Sequence, residues 1–292
     1  MKLATLKTGG TEKAAIRGPH GYVLLEALGG GWPTDLLTLL REGKLDELTA
    51  WYRGGGEQEL AAKPAVAVEE ASFGPLYREP SKIWGIGMNY VIEESELALV
   101  PPGEEPVGFM KPATTLIGPG ESIQVPEGFG EITAEAELAI VIGKSCRGIT
   151  EAEAPSVVAG FTTALDMTAS DIHARNPRFL TRAKSFDTFL SIGPELITVD
   201  EVGDVLDLEV ATAQDGVVKH TNRIRNMRFR PWYTVAFHAA FMTLMPGDII
   251  LTGTPGAVVI RDGDVVECHV NGLQPLVNPV AALPAAAGAV AG

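Results

Sequence analysis

The chain has 292 residues, 46 % hydrophobic and 21 % charged, with 23 basic and 37 acidic side chains and a net charge of −14. This composition excludes a disordered, collagenous or coiled-coil chain and is long enough for one large or two unequal domains. The acidity argues against nucleic acid or an anionic membrane as partner, because phosphate binding takes a basic surface.

Residues 1–77 are nearly balanced in charge, and most of the excess acid lies beyond them. MKLATLKT, EKAAIRG and GYVLLEAL read as short strands. Thr34-Asp35 after Pro33 marks a helix start near Asp35–Leu40. AAKPAVAVEEASFGPLYREPSK carries three prolines and reads as a linker. A small N-terminal domain is therefore expected over 1–77, a larger one over 78–285 and an Ala/Gly-rich tail over 286–292. From Lys82 onward KIWGIG, PVGFM, LIG and SIQVP are short apolar runs bounded by Gly and Pro. AEAELAIVIG starts in alternation and ends as a continuous apolar run, as a strand covered on both faces does. TEAEAPSVVAGFTTALD predicts a short helix feeding a strand, and WYTVAFHAAFMTL a helix ending before PGD. DIILTGTP and GDVVECHVNGL follow as strands. Short turns join most of the strands, which predicts an α+β fold and disfavours a doubly wound parallel sheet.

The first residues show no signal-peptide pattern, and no stretch reaches the ~18 apolar residues of a membrane span. Cys146 and Cys268 form neither a metal-type spacing nor a disulfide framework, so a cytoplasmic setting is expected.

Five constellations could carry chemistry. Glu135 and Glu137 are two apart on a strand, so both carboxylates share one face and repel unless a cation or proton lies between them. The alternative is a solvated acidic edge. Asp166 ends an apolar strand and is either a helix cap or a third oxygen ligand for Mg²⁺, Mn²⁺ or Ca²⁺. Lys184 could hold a substrate enolate or carboxylate oxygen, or simply pair with Asp187. Gly253-Thr254-Pro255-Gly256 is a tight loop that could approach an anion, or a plain turn. In GIGMNYVIEESE, Glu93 and Glu96 lie one helical turn apart. Among the histidines, His238 sits in an apolar run and reads as packed, whereas His173 is the best candidate base. Lys219, Arg223, Arg225, Arg228 and Arg230 make a local basic stretch that could pair with the acidic run 93–137 across a dimer or collect an anionic substrate.

In order, GIGMNY, GFMKPATTLIGPGESIQVP, EAELAIVIGK, AGFTTALDMTASD, AKSFDTFLSIGP, LMPGDIILTGTPGAV and GDVVECHVNGLQPLVN resemble the fumarylacetoacetate hydrolase family over about Lys82 to Val280. The resemblance implies a mostly-β catalytic domain, commonly preceded by a smaller α+β one, in a homodimer. It implies Glu135, Glu137 and Asp166 as ligands of Mg²⁺, with Mn²⁺ or Ca²⁺ as alternatives. It also implies Lys184 and Thr254 as substrate contacts and Lys111 at the rim, with Gly253 and Thr188 beside them. The expected substrate is a small β-diketo or 2-oxo acid that reacts through an enolate.

Three departures change that expectation. The family's water-activating histidine and glutamate positions are Glu93 and Glu96 here. An arginine position is Ser170, followed by Asp171, and a glutamine position is His173. The metal set is kept while the groups that activate water and hold substrate differ. C–C bond hydrolysis is the first expectation. A tautomerase, isomerase or decarboxylase, or a non-catalytic metal-binding protein, is the alternative.

Overall fold

The computed structural model describes residues 1–284, and the tail expected at 286–292 lies outside the described residues. The front segment contains β1 (Lys2–Thr8), β2 (Thr11–Gly18) and β3 (Gly21–Leu24), then α1 (Leu36–Arg41), α2 (Lys44–Trp51) and α3 (Glu57–Leu60). Next come β4 (Ile83–Gly87), β5 (Val107–Lys111), β6 (Leu116–Ile117), β7 (Ile123–Pro126) and the long β8 (Ile132–Ile142) and β9 (Val158–Ala169). A helical excursion, α4 (Ser170–Arg175) and α5 (Leu180–Ala183), precedes β10 (Leu190–Ile192), β11 (Glu195–Thr198) and α6 (Val199–Val202). The chain continues through β12 (Glu209–Gln214), β13 (Val217–Arg223), α7 (Pro231–Phe241), β14 (Ile249–Leu251), β15 (Ala257–Val259), β16 (Val265–Val270) and β17 (Leu276–Leu283).

The larger sheet has a spine ordered β3-β2-β1-β11-β9-β8-β14-β4-β5, and the smaller runs β13-β12-β16-β17-β7. Pairing is mostly antiparallel, as the short turns require, with parallel pairs at β14·β4, β10·β6 and β17·β7. β8 and β9 are the common wall. One face packs through Leu138, Ile140 and Leu165 toward Val210, Val266 and Cys268 of the smaller sheet. The other packs through Ala139, Val141 and Ala164 toward Leu36, Leu39 and Leu48 of α1 and α2. Cover on both faces explains the continuous apolar run that ends β8.

The front segment shares that second core. β1 also extends the large sheet by pairing with β11, Leu3 opposite Leu196. Glu195 is buried at this junction. It accepts hydrogen bonds from Tyr22 Oη at 2.6 Å, Arg17 Nη1 at 3.0 Å and the Gln274 N–H at 3.1 Å. The predicted helix start is present: Asp35 caps α1 by accepting the Thr38 N–H at 2.8 Å. α7 begins with Pro231 in its first turn. His238 of α7 is buried, its Nδ1 2.7 Å from the Thr234 carbonyl, and burial pushes its imidazole pKa down. Among the described residues no helix is long and apolar enough to cross a membrane.

Candidate metal and substrate site

The site is set by strand register. β8 and β9 pair with Glu135 directly opposite Asp166 and Glu137 opposite Ala164. The two-residue side-chain period then puts Glu135, Glu137, Asp166 and Thr168 on one face. Carboxylate oxygens of Glu135, Glu137 and Asp166 all lie within 4.8 Å of one another. Asp166 is within β9 and caps no helix; the residue before α4 is Ala169.

Two buried lysines balance the carboxylates. Lys111, the last residue of β5, donates to Asp166 Oδ1 at 2.5 Å. Lys184, just after α5, donates to Asp166 Oδ2 at 2.5 Å, Glu135 Oε2 at 2.8 Å and Thr168 Oγ1 at 2.8 Å. The surface pair with Asp187 is therefore not what Lys184 makes. Burial pulls Lys111 down to about 8, with the Asp166 charge opposing. Burial also works against the Lys184 ammonium, but Asp166, Glu135 and Glu137 outweigh it and hold its pKa above the ordinary lysine range. Burial, then the charges of Asp166 and Glu135, raise the Glu137 carboxyl well above its usual value. With every group ionised, three carboxylates against two ammonium groups carry one excess negative charge, and Glu137 is where a proton or a cation relieves it.

This donor set fits a hard divalent cation. It offers only oxygen ligands, and a 2+ charge would relieve the crowding around Glu137. Glu135, Glu137 and Asp166 would hold such an ion. Glu137 is also fixed from behind, where the Gly253 N–H donates to its Oε2 at 2.5 Å. Gly253 has φ +91°, and a Cβ there would lie 2.9 Å from Asn89 Cβ. Only glycine fits that loop without strain. Asn89 is buried and ties it down, donating from Nδ2 to the Thr252 carbonyl at 2.8 Å and the Phe229 carbonyl at 3.0 Å.

Above the carboxylates lies a cavity of about 110 Å³ lined by Ile86, Gly87, Met88, Phe109, Glu135, Glu137, Thr168, His173, Leu180, Lys184, Gly253 and Thr254. That is well below the roughly 300–1,000 Å³ of drug-sized sites, so the occupant is small. His173 reaches it from α4. The Thr254 hydroxyl also closes its own turn with Gly256.

The other candidates are placed elsewhere. Glu93 is exposed, and Glu96 Oε2 accepts the Ile92 N–H at 2.9 Å; neither lines the cavity. Lys111 sits behind Asp166 and is fully buried, not at the rim. The Ser170 hydroxyl is 3.1 Å from Thr133 Oγ1. Thr188 Oγ1 accepts the Gln124 N–H at 2.8 Å. The basic stretch pairs within the chain, Arg228 with Glu104 and Arg230 with Glu94, both at 3.0 Å. Sequence reasoning passed over Thr168, although its position two residues after Asp166 is the signal that found Glu137. Met88 and Phe109 lay inside quoted segments but carried no mark of chemistry. Tyr90 holds a buried hydroxyl with no partner among the described residues. Burial, then the Glu137 charge, keeps its phenol protonated.

Fold and site together define a two-sheet protein with a carboxylate triad, two of its members buried, beside a small cavity. The chain belongs to the fumarylacetoacetate hydrolase family: residues 82–281 match the model for the fumarylacetoacetate (FAA) hydrolase C-terminal region. It is 33 % identical over 282 residues to the human mitochondrial oxaloacetate tautomerase FAHD2B, covering 90 % of this chain and 88 % of that one. A 5-carboxymethyl-2-hydroxymuconate delta-isomerase from Mycobacterium smegmatis has 29 % identity and a TM-score of 0.77, over 97 % of this chain and 99 % of that one. A maleylpyruvate hydrolase from Sphingobium sp. SYK-6, in complex with manganese(II) ion and pyruvate, has 26 % identity and a TM-score of 0.79 over the same shares.

Proposed function

We propose that this protein is a divalent-metal-dependent enzyme that interconverts keto and enol forms, or double-bond isomers, of a small 2-oxo acid. One observation carries the choice of reaction. Two carboxylates of the triad, Glu135 and Glu137, line a cavity whose one imidazole is His173, while Glu93 and Glu96 stand outside it. Proton transfer to and from carbon needs one base within reach. Hydrolysis needs, in addition, a group that activates water, and the carboxylates expected for that role are elsewhere. The relatives named as a tautomerase and an isomerase support the same reading.

A divalent ion, Mg²⁺ or Mn²⁺, bound by Glu135, Glu137 and Asp166 would supply Lewis acidity toward the oxo-acid oxygens. The chain's own groups do the rest. Lys184 holds the oxygen on which negative charge develops, and Thr254 with the Gly253 loop receives the carboxylate. His173 takes the proton from the carbon beside the oxo group and returns it to the oxygen, so the base is regenerated and composition is unchanged. Phe109, Leu180 and Ile86 keep water from the reacting carbon.

C–C bond hydrolysis is the second reading, favoured by the manganese- and pyruvate-bound relative named as a hydrolase. Incubating the Mg²⁺-loaded protein with oxaloacetate and with an acylpyruvate separates the two. Accelerated enol–keto exchange with no loss of carbon is the expected result, abolished in His173→Ala. Release of two acids from the acylpyruvate would establish hydrolysis instead. Carbon dioxide release would mean decarboxylation, and no change in any substrate would refute both readings.

A further inference from the structure

Met88 stands at the cavity between Gly87 and Asn89 and adopts φ +54°, the left-handed region that crowds a Cβ against its own backbone. Its neighbours hold it there. Gly87 pairs with Val107 in the sheet, and the Asn89 side chain is bonded to the backbone of Thr252 and Phe229. A glycine at position 88 would take this conformation freely. The methionine side chain is 72 % exposed, so the fold recovers little of the strain by burying it. Strain that packing does not repay points to a ligand. The cavity lining mixes polar groups, Glu135, Glu137, Lys184 and Thr254, with apolar ones, Ile86, Phe109 and Leu180, and the Lys184 ammonium lies 4.6 Å from the centre of the Phe109 ring. Its small volume takes the head of an oxo acid, and Met88, exposed yet part of the lining, is placed to meet a longer carbon chain.

We propose that Met88 is a specificity-determining residue whose side chain folds over the carbon chain of the substrate beyond its oxo-acid head, selecting 2-oxo acids with an aliphatic extension. A flexible, polarisable methionine suits this cover because it adapts to chains of different length. The inference rests on the oxo-acid reading above.

The test is calorimetric binding of pyruvate, 2-oxobutanoate and 2-oxopentanoate to the Mg²⁺-loaded protein, without turnover. Each added methylene should tighten binding about two- to fourfold in the wild type, as partial to full cover by apolar surface predicts. Met88→Leu should keep that gradient. Met88→Asn, whose side chain tolerates the left-handed region, should flatten it and leave the pyruvate Kd within about twofold. Met88→Gly should unfold at the wild-type temperature or above, against the usual loss on introducing glycine. A flat series in the wild type, or the same gradient in Met88→Asn, would overturn the proposal and leave the oxo-acid reading standing. Failure of pyruvate to bind in a metal-dependent way would remove both.

Discussion

Replacing Glu137 by glutamine separates the electrostatics of the triad from its shape. The amide oxygen can still accept the Gly253 N–H that Glu137 Oε2 accepts now at 2.5 Å. What is lost is one of three negative charges whose oxygens lie within 4.8 Å. At that separation a like-charge pair costs about 3.5 kcal/mol at an effective dielectric near 20. Glu137 has two such neighbours, partly offset by Lys184. Glu137→Gln should therefore stabilise the metal-free protein by about 1–3 kcal/mol, or about 2–5 °C in Tm at this chain length. With metal the gap narrows or closes. A bound ion at 100 times its Kd adds about 2.7 kcal/mol, and a hundredfold weaker affinity removes almost all of that. The assay is calorimetric unfolding of both proteins in chelator and in excess Mg²⁺. The variant should unfold higher in chelator and show little shift with metal. A variant that is less stable in chelator yet shifts with Mg²⁺ as far as the wild type would refute the reasoning.

Two further outcomes follow from the structure. Gly253→Ala forces a Cβ to 2.9 Å from Asn89 Cβ at φ +91°, and should cost about 1–3 kcal/mol in urea unfolding and weaken the Mg²⁺ shift. Gly87→Ala, where a Cβ meets nothing within 4 Å, should do neither; equal losses in the two would sink the argument. Burial pushes the Glu121 carboxyl up, but hydrogen bonds from Arg78, the Gly118 N–H and Lys7 outweigh this and bring it to about 2. Its folded pKa is below its ordinary 4.5, so its contribution is complete above that pH and is lost as pH falls toward 2. Glu121→Gln should thus cost about 1 kcal/mol near pH 7, the scale of partly exposed pairs, and about a quarter of that at pH 2.5. A urea midpoint difference that stays constant from pH 7 to 2.5 would count against the pairing.

Much of the local structure was legible in the sequence. Alternation and apolar run length mark β8, the Asp35 cap marks α1, and the spacing of WYTVAFHAAFMTL marks α7. The two-residue period puts Glu135 beside Glu137 before any fold is known. These are short-range features, fixed by side-chain direction and backbone hydrogen bonding within a few residues. The tertiary structure decided the rest. Register across β8 and β9, not spacing along either, sets Asp166 opposite Glu135. Lys111 arrives from 55 positions away and Gly253 from 116. The same packing leaves Glu93 in solvent, ties Glu96 to its own turn and extends the large sheet with β1. None of this has a sequence period, because each contact depends on which distant strand is a neighbour. The −14 charge shows the same division. Composition gives its size, but only the fold gathers three carboxylates, two of them buried, around two buried ammonium groups.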